Sequence, residues 1–274
     1  MTKKSTFVKA RQSKGFTQKL RDCGIKVAKA VLPFRAQSWF RSILTGQRFK
    51  PTVNRVDFGD LRRLTPISRQ YGYDRGEPID RYYIEKFLDN HRDCISGAVL
   101  EVSEDTYTRK FGGDEIDRID VLHYDDPSPP ATLTGDLTNA PHLPSGSYDC
   151  IIITQTLMLI YDLPAAVATL HRILKPGGTV LATLPGLSQI ADPAWLHTWH
   201  WGFTQGSAQK LFEDAFTGGE VAVTVYGNVL STIAFLQGLA QKELTLKELD
   251  HTDPEYQMLI AVAARKRLDI NGDD

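Results

Sequence analysis

The chain has 274 residues, 42% hydrophobic and 24% charged, which suits one α/β domain with an N-terminal extension or two small domains. Its three cysteines, Cys23, Cys94 and Cys150, are scattered and lack Cys-x-x-Cys spacing, which argues against a disulfide framework or structural zinc site and for a reducing compartment. No apolar run approaches the roughly 18 residues needed to cross a bilayer, and no signal-peptide core follows the basic start, so a cytoplasmic protein is expected, soluble or peripheral to a membrane.

A net charge of −1 hides a strong asymmetry. Residues 1–70 carry 17 Lys and Arg against 3 Asp and Glu, while residues 71–274 carry 15 against 30. Residues 1–50 thus read as a basic arm that attracts an anionic membrane surface, phosphates or an acidic partner, or that docks on the acidic body of its own chain. Within it, residues 25–44 interleave Lys26, Lys29, Arg35 and Arg41 with Val27, Leu32, Trp39, Phe40 and Ile43, as in a short amphipathic helix interrupted at Pro33. An acid-poor start with Arg and Ser also resembles an organelle transit peptide. Residues 51–75 form a polar connector. The expected division is an arm and connector over 1–70, a main domain over 71–266 and a tail over 267–274.

The spacing of Ile79, Tyr82, Tyr83, Phe87 and Leu88 predicts a helix over 78–91. Strands are expected at 98–102 and 116–122, and at 150–154, where near-continuous isoleucine indicates burial on both faces. A helix over 163–174 meets Lys175-Pro176-Gly177-Gly178, expected to stop it, before a strand at 179–184. A helix at 207–216, a strand at 220–226, a helix at 229–241 and a strand at 256–264 complete the order. Such alternation implies a mostly parallel sheet with helices on both faces, with ligands bound beyond the strands' carboxyl ends. The loops after Val102, Leu122, Thr134 and Thr154 should therefore carry the chemistry.

Five segments stand in a definite order: Val99-Leu100-Glu101-Val102, Ile119-Asp120-Val121, Gly135-Asp136-Leu137, Tyr148-Asp149-Cys150-Ile151-Ile152-Ile153, and residues 170–183 around Lys175-Pro176-Gly177-Gly178. Together they resemble the signature of the class I S-adenosylmethionine-dependent methyltransferases, of the type 11-like kind, over residues 71–266. The resemblance implies a Rossmann-like seven-stranded sheet and S-adenosyl-L-methionine as cofactor. It implies that Glu101 holds the amino group of the cofactor's methionine part, with Val102 and Ser103 in the turn beside it. Asp120, with Val121 next to it, would accept the ribose hydroxyls, Asp136 and Leu137 would read the adenine edge, and Gln155 would close over the sulfonium. The turn after the first strand, Val102-Ser103-Glu104-Asp105-Thr106-Tyr107, departs from the pattern in having no glycine. Gly112-Gly113 could supply a later turn, with the usual first helix cut to a turn or two. Upstream, Arg75 or Arg81 could pair with the cofactor carboxylate, or the arginines and aspartates there could form a capping network at a helix start. His123 could stack near the adenine or cap its strand.

Methyl transfer from a sulfonium is an in-line displacement that depends on positioning, and an oxygen acceptor also needs a general base. His197, His200 and Tyr161 are the candidates, with Asp192 behind them. The segment over 195–203 alternates aromatics with imidazoles, which could stack on a sugar or aromatic ring, or pack as an aromatic core cluster. No Asn/Asp-Pro-Pro-Tyr/Phe follows the isoleucine strand, which speaks against methylation of nucleic-acid amines, and no metal-ligand spacing or phosphate loop is present. The expected function is O-methylation of a small-molecule or glycan acceptor. The alternatives are a catalytically impaired binding or scaffold protein of this fold, an RNA methyltransferase using the arm, and, weakest, an NAD(P)-linked Rossmann enzyme.

Overall fold

The computed structural model describes residues 51, 53–190 and 196–268. The chain divides into two compact units, residues 1–63 and 64–274. Described parts of the first include one 3-10 turn, Gly59–Leu61, whose Gly59 N–H is held by Asp57 Oδ1 at 3.0 Å. The amphipathic helix expected within 25–44 lies outside the described residues.

The second unit is built on a seven-stranded sheet: β1 (Gly97–Val102), β2 (Ile116–His123), β3 (Leu133–Thr134), β4 (Tyr148–Thr154), β5 (Leu174–Pro185), β6 (Glu220–Tyr226) and β7 (Leu259–Arg265). Their order is β3-β2-β1-β4-β5-β7-β6. The sheet is mostly parallel; β7 pairs antiparallel with both β5 and β6. Order reverses between β1 and β4, so the loops after these two strands diverge and leave the crevice where such sheets bind ligands.

Helices cover both faces: α1 (Ile79–Asn90), α2 (Thr106–Phe111), α3 (Leu163–Ile173), α4 (Gln205–Ala215), α5 (Val229–Leu236) and α6 (Leu246–Asp250). Alternation along β1 and β4 sorts the core. Leu100, Ile151 and Ile153 pack with Val167 and Leu170 of α3 and Phe212 of α4 on one face. Val99 and Ile152 pack with Ile79, Tyr83 and Phe87 of α1 and Phe235 of α5 on the other. Among the described residues no helix is long and apolar enough to cross a membrane.

Three local expectations are corrected. The helix stops at Ile173, as expected ahead of Lys175-Pro176-Gly177-Gly178, but the strand expected at 179–184 begins earlier: β5 starts at Leu174 and runs through all four residues. Tyr148 pairs with Leu174 and Cys150 with Thr179, so the extra residues bulge out of the ladder. The helix expected over 229–241 stops at Leu236 because Gly238 turns left-handed (φ 70°) and Leu239 N–H returns to Ala234 O at 2.9 Å. The last strand begins at Leu259, leaving residues 227–258 as an excursion that contains α5 and α6. Asn228 Nδ2 donates to the carbonyls of Glu248 and His251, both at 2.7 Å, and ties the excursion together. Ser68 N–H donates to Gln237 O at 3.0 Å and Pro78 bridges to Ala240, which lace it to residues 64–78.

Gly97 opens β1 at φ 65°, and an added Cβ would lie 2.5 Å from Asp149 Oδ2. That same oxygen accepts Ala98 N–H at 2.9 Å and Lys175 Nζ at 2.6 Å. Gly97→Ala is therefore expected to destabilise the protein by about 2 kcal/mol, the scale of left-handed strain plus a disturbed, half-exposed ion pair. Urea unfolding checks this; an unchanged midpoint contradicts it.

Candidate active site

The crevice starts where β1 ends. Glu101 is buried, and its carboxylate accepts Tyr107 N–H at 3.1 Å, Thr108 N–H at 2.7 Å and the Thr108 hydroxyl at 2.7 Å. It thus caps the first turn of α2, a helix of six residues, as short as the sequence suggested. Burial pushes the Glu101 carboxyl above the usual range, and the bonds from Thr108 and Tyr107 pull it back only in part. Ser103 stands at φ 80°, a conformation that favours glycine. The turn therefore follows a glycine-like path without a glycine. Its carbonyl is held 2.8 Å from His123 Nε2, and the other ring nitrogen lies 3.0 Å from Asp126 O, so His123 ties the ends of β1 and β2 together.

Asp120 is not at the end of its strand. It stands three residues before His123, the last residue of β2, and its side chain is engaged. Asp120 Oδ2 accepts the Tyr148 hydroxyl at 2.9 Å and Arg118 Nε at 3.1 Å. Val121, its neighbour, is buried. The first residues beyond β2 are exposed Tyr124 and Asp125, the latter one of the acids that crowd Asp120 in sequence. The signal available was the strand length, since β2 continues to His123.

Beyond β3, Asp136 Oδ1 accepts the Thr138 N–H and hydroxyl, each at 2.8 Å, forming a tight turn that seats Leu137 in the core. Beyond β4, Gln155 is held left-handed at φ 47°, its N–H on Thr183 O at 2.9 Å. Ser103 and Gln155, both strained L residues, thus follow the adjacent strands β1 and β4.

The two upstream arginines separate. Arg75 pairs with Glu243 of the excursion, Nε to Oε2 at 3.0 Å and Nη2 to Oε1, a bond that draws the Glu243 carboxyl below its usual range. Arg81 points to the β1 turn: Nη1 donates to the Tyr107 hydroxyl at 3.2 Å and Nε to the Tyr73 hydroxyl at 3.1 Å. Burial alone would lower its pKa, but Asp80 and the two phenol oxygens outweigh that and hold it raised. Among the described residues no direct ion pair joins Arg81 to a carboxylate, although Asp80 acts on it electrostatically.

On the far side of the crevice the structure assembles an aromatic cluster. Tyr161 stacks on Trp201 at 5.7 Å between ring centroids and meets His200 edge-on at 5.4 Å. His200 N–H and Trp201 N–H both reach Met158 O, at 2.9 and 3.3 Å, and Trp201 Nε1 donates to Ile160 O at 3.0 Å. Tyr161 is 73% and Trp201 37% exposed, so this is an open platform and not a core cluster. From the same segment Trp199 packs against the core and Phe203 is buried in it. His197, on the exposed turn Leu196–Thr198, stands outside the cluster, and Asp192 and Trp195 lie outside the described residues.

Residues 63–216, over half of the chain, match the family described as a methyltransferase domain, and the chain belongs to that family. No curated protein matches it. Solved structures similar to the chain include an S-adenosylmethionine-dependent methyltransferase from Mesorhizobium loti (16% identity, 71% of this chain and 100% of that one, TM-score 0.46). Another is a SAM-dependent methyltransferase from Archaeoglobus fulgidus (12% identity, 68% and 94%, TM-score 0.47), and a third the [4+2]-cyclase SpnF (14% identity, 75% and 98%, TM-score 0.43). At these values the likenesses bear on neither substrate nor reaction.

Thr108→Val removes one of the bonds to the Glu101 carboxylate and should cost about 1–3 kcal/mol at neutral pH. Because Glu101 already has a raised pKa when folded, its own contribution to stability is complete below the ordinary carboxylate range and is lost as pH rises through the raised value. The variant pushes that pKa higher still, so its deficit should shrink on acidification. Unfolding measured across the acid range tests this, and a deficit that grows as pH falls contradicts it.

Proposed function

We propose that the second unit binds S-adenosylmethionine at the carboxyl edge and methylates an oxygen of a small-molecule or glycan acceptor. The observation that carries this reading is the pair of left-handed L residues, Ser103 and Gln155, at the ends of β1 and β4. Such backbone strain, about 1–3 kcal/mol per residue, persists mainly where a site requires it. The cofactor supplies an electrophilic methyl group on a sulfonium. Arg81 takes the cofactor carboxylate, while Glu101 supports the turn from inside and does not reach out to the amino group. Since Asp120 is engaged by Tyr148 and Arg118, we assign the ribose hydroxyls to Asp125, the first carboxylate beyond β2. Asp136 and Leu137 flank the adenine, and Gln155 faces the methionine chain. Arg75, held by Glu243, plays no part in this binding.

On the acceptor side, Tyr161 and Trp201 offer ring faces for a sugar or aromatic ring. His200 accepts the proton released as the acceptor oxygen attacks. Tyr161 is the next candidate base, and His197 lies farther from the platform.

A second reading is favoured by one observation: both oxygens of Glu101 are already bonded within the chain, as in a methyltransferase fold kept for binding alone. Calorimetric titration with S-adenosylhomocysteine separates the two. The enzyme reading expects binding that Arg81→Met weakens by at least tenfold and Arg75→Met leaves within twofold, consistent with loss of a charge-assisted bond. Wild-type protein that takes up no cofactor favours the scaffold.

Once an acceptor is found, His200→Ala should lower turnover about a hundredfold with cofactor affinity unchanged. A fully active His200→Ala moves the base to Tyr161 or to the acceptor itself.

A further inference from the structure

Helix α5 has the wrong face exposed. A surface helix normally turns polar residues to water, yet Val229, Leu230, Ile233 and Leu236 are each 40–47% exposed, while Ser231 and Thr232 are buried. At 3.6 residues per turn those four side chains fall within an arc of roughly 120°. The helix contains no charged residue. A second contribution comes from the loop after β5, where Leu187 and Ile190 are about half exposed. Gln189 of that loop donates to Arg69 O at 3.4 Å, next to Ser68, whose N–H is on Gln237 O at the end of α5. The two apolar segments therefore converge on residues 68–69. An exposed apolar helix face of this kind marks an interaction site.

We propose that this face docks the protein on an anionic lipid bilayer. Charge selects the occupant. The polypeptide enters the second unit at Leu64, four residues before Ser68, so residues 1–63, with 16 basic and 3 acidic residues, are joined through the chain to the residue that bonds the end of α5. Aliphatic side chains carried on the same chain as a polybasic segment are the combination that interfacial binding uses: the apolar face enters the acyl boundary while lysines and arginines hold anionic headgroups. Three of the five acidic residues of the excursion are engaged within the chain: Glu243 is paired with Arg75, Asp250 with Lys86, and Glu248 caps α6 through Thr245, while Asp253 accepts the N–H of exposed Glu255. Docking through α5 would bring the carboxyl edge, where the excursion is laced to residues 64–78, close to the lipid surface.

The test is co-sedimentation of the full chain with phosphatidylcholine vesicles, with and without phosphatidylglycerol. Wild-type protein should bind the phosphatidylglycerol vesicles, lose affinity as salt is raised, and bind pure phosphatidylcholine weakly. The double variant Ile233→Glu/Leu236→Glu should bind at least tenfold more weakly. Ile233→Ser/Leu236→Ser should lose affinity in the same direction, with an unchanged melting temperature to show that the fold is intact. Wild-type protein that ignores both vesicles, or folded variants that bind as well as wild type, overturns the proposal. So does a wild-type dimer in solution that the same variants convert to monomer, since the face would then be covered by a second copy.

Discussion

The buried carboxylate of Glu101 closes the joint between β1 and α2. Two backbone N–H groups and one hydroxyl converge on it, and each bond to a charged group contributes about 1.5–3 kcal/mol. Together they offset part of the cost of burying the carboxylate, and they fix the β1–α2 joint, so the turn through Ser103 is held in a shape that its sequence does not favour. His123 fastens the same turn to the end of β2. The shape of the cofactor side follows from these few contacts, because Tyr107, which helps to cap Glu101, is also the residue that Arg81 grips.

Opposite this joint, the platform of Tyr161, His200 and Trp201 is fixed by backbone carbonyls at Met158 and Ile160, just beyond β4. Gln155 lies between the two halves in sequence and is itself strained. The crevice thus has one polar wall, where Arg81 meets Tyr107 and Tyr73, and one aromatic wall with an imidazole. Fold alone would not distinguish a methyltransferase from a binding protein on the same scaffold; these two walls are the basis for assigning chemistry to it.

The parts legible in the sequence were those decided locally. Helical spacing marked α1, continuous isoleucine marked β4, and the glycine-free turn followed by Gly112-Gly113 marked a shortened α2. What failed was set by distant partners. The Lys-Pro-Gly-Gly run stopped α3 as expected, but β5 begins before it, with a bulge, because Tyr148 and Cys150 fix the register opposite it. Arg75 and Arg81 were equivalent in sequence and were separated by Glu243, which lies 168 residues from Arg75. Asp120 looked terminal because a carboxylate about 20 residues after the first acid suits a ribose site, whereas Tyr148 and Arg118 draw it into the sheet. The excursion between β6 and β7 escaped notice because its caps and its bonds to Ser68 and Pro78 have no local periodicity.

The most direct test of this account is a crystal structure of the protein with S-adenosylhomocysteine. The predicted result is a ligand whose methionine end lies between Ser103 and Gln155 with its carboxylate on Arg81, while Glu101 stays bonded to Thr108 and Ser103 stays left-handed. A Glu101 side chain swung out to the ligand's amino group, or a ligand bound away from the ends of β1 and β4, would contradict it.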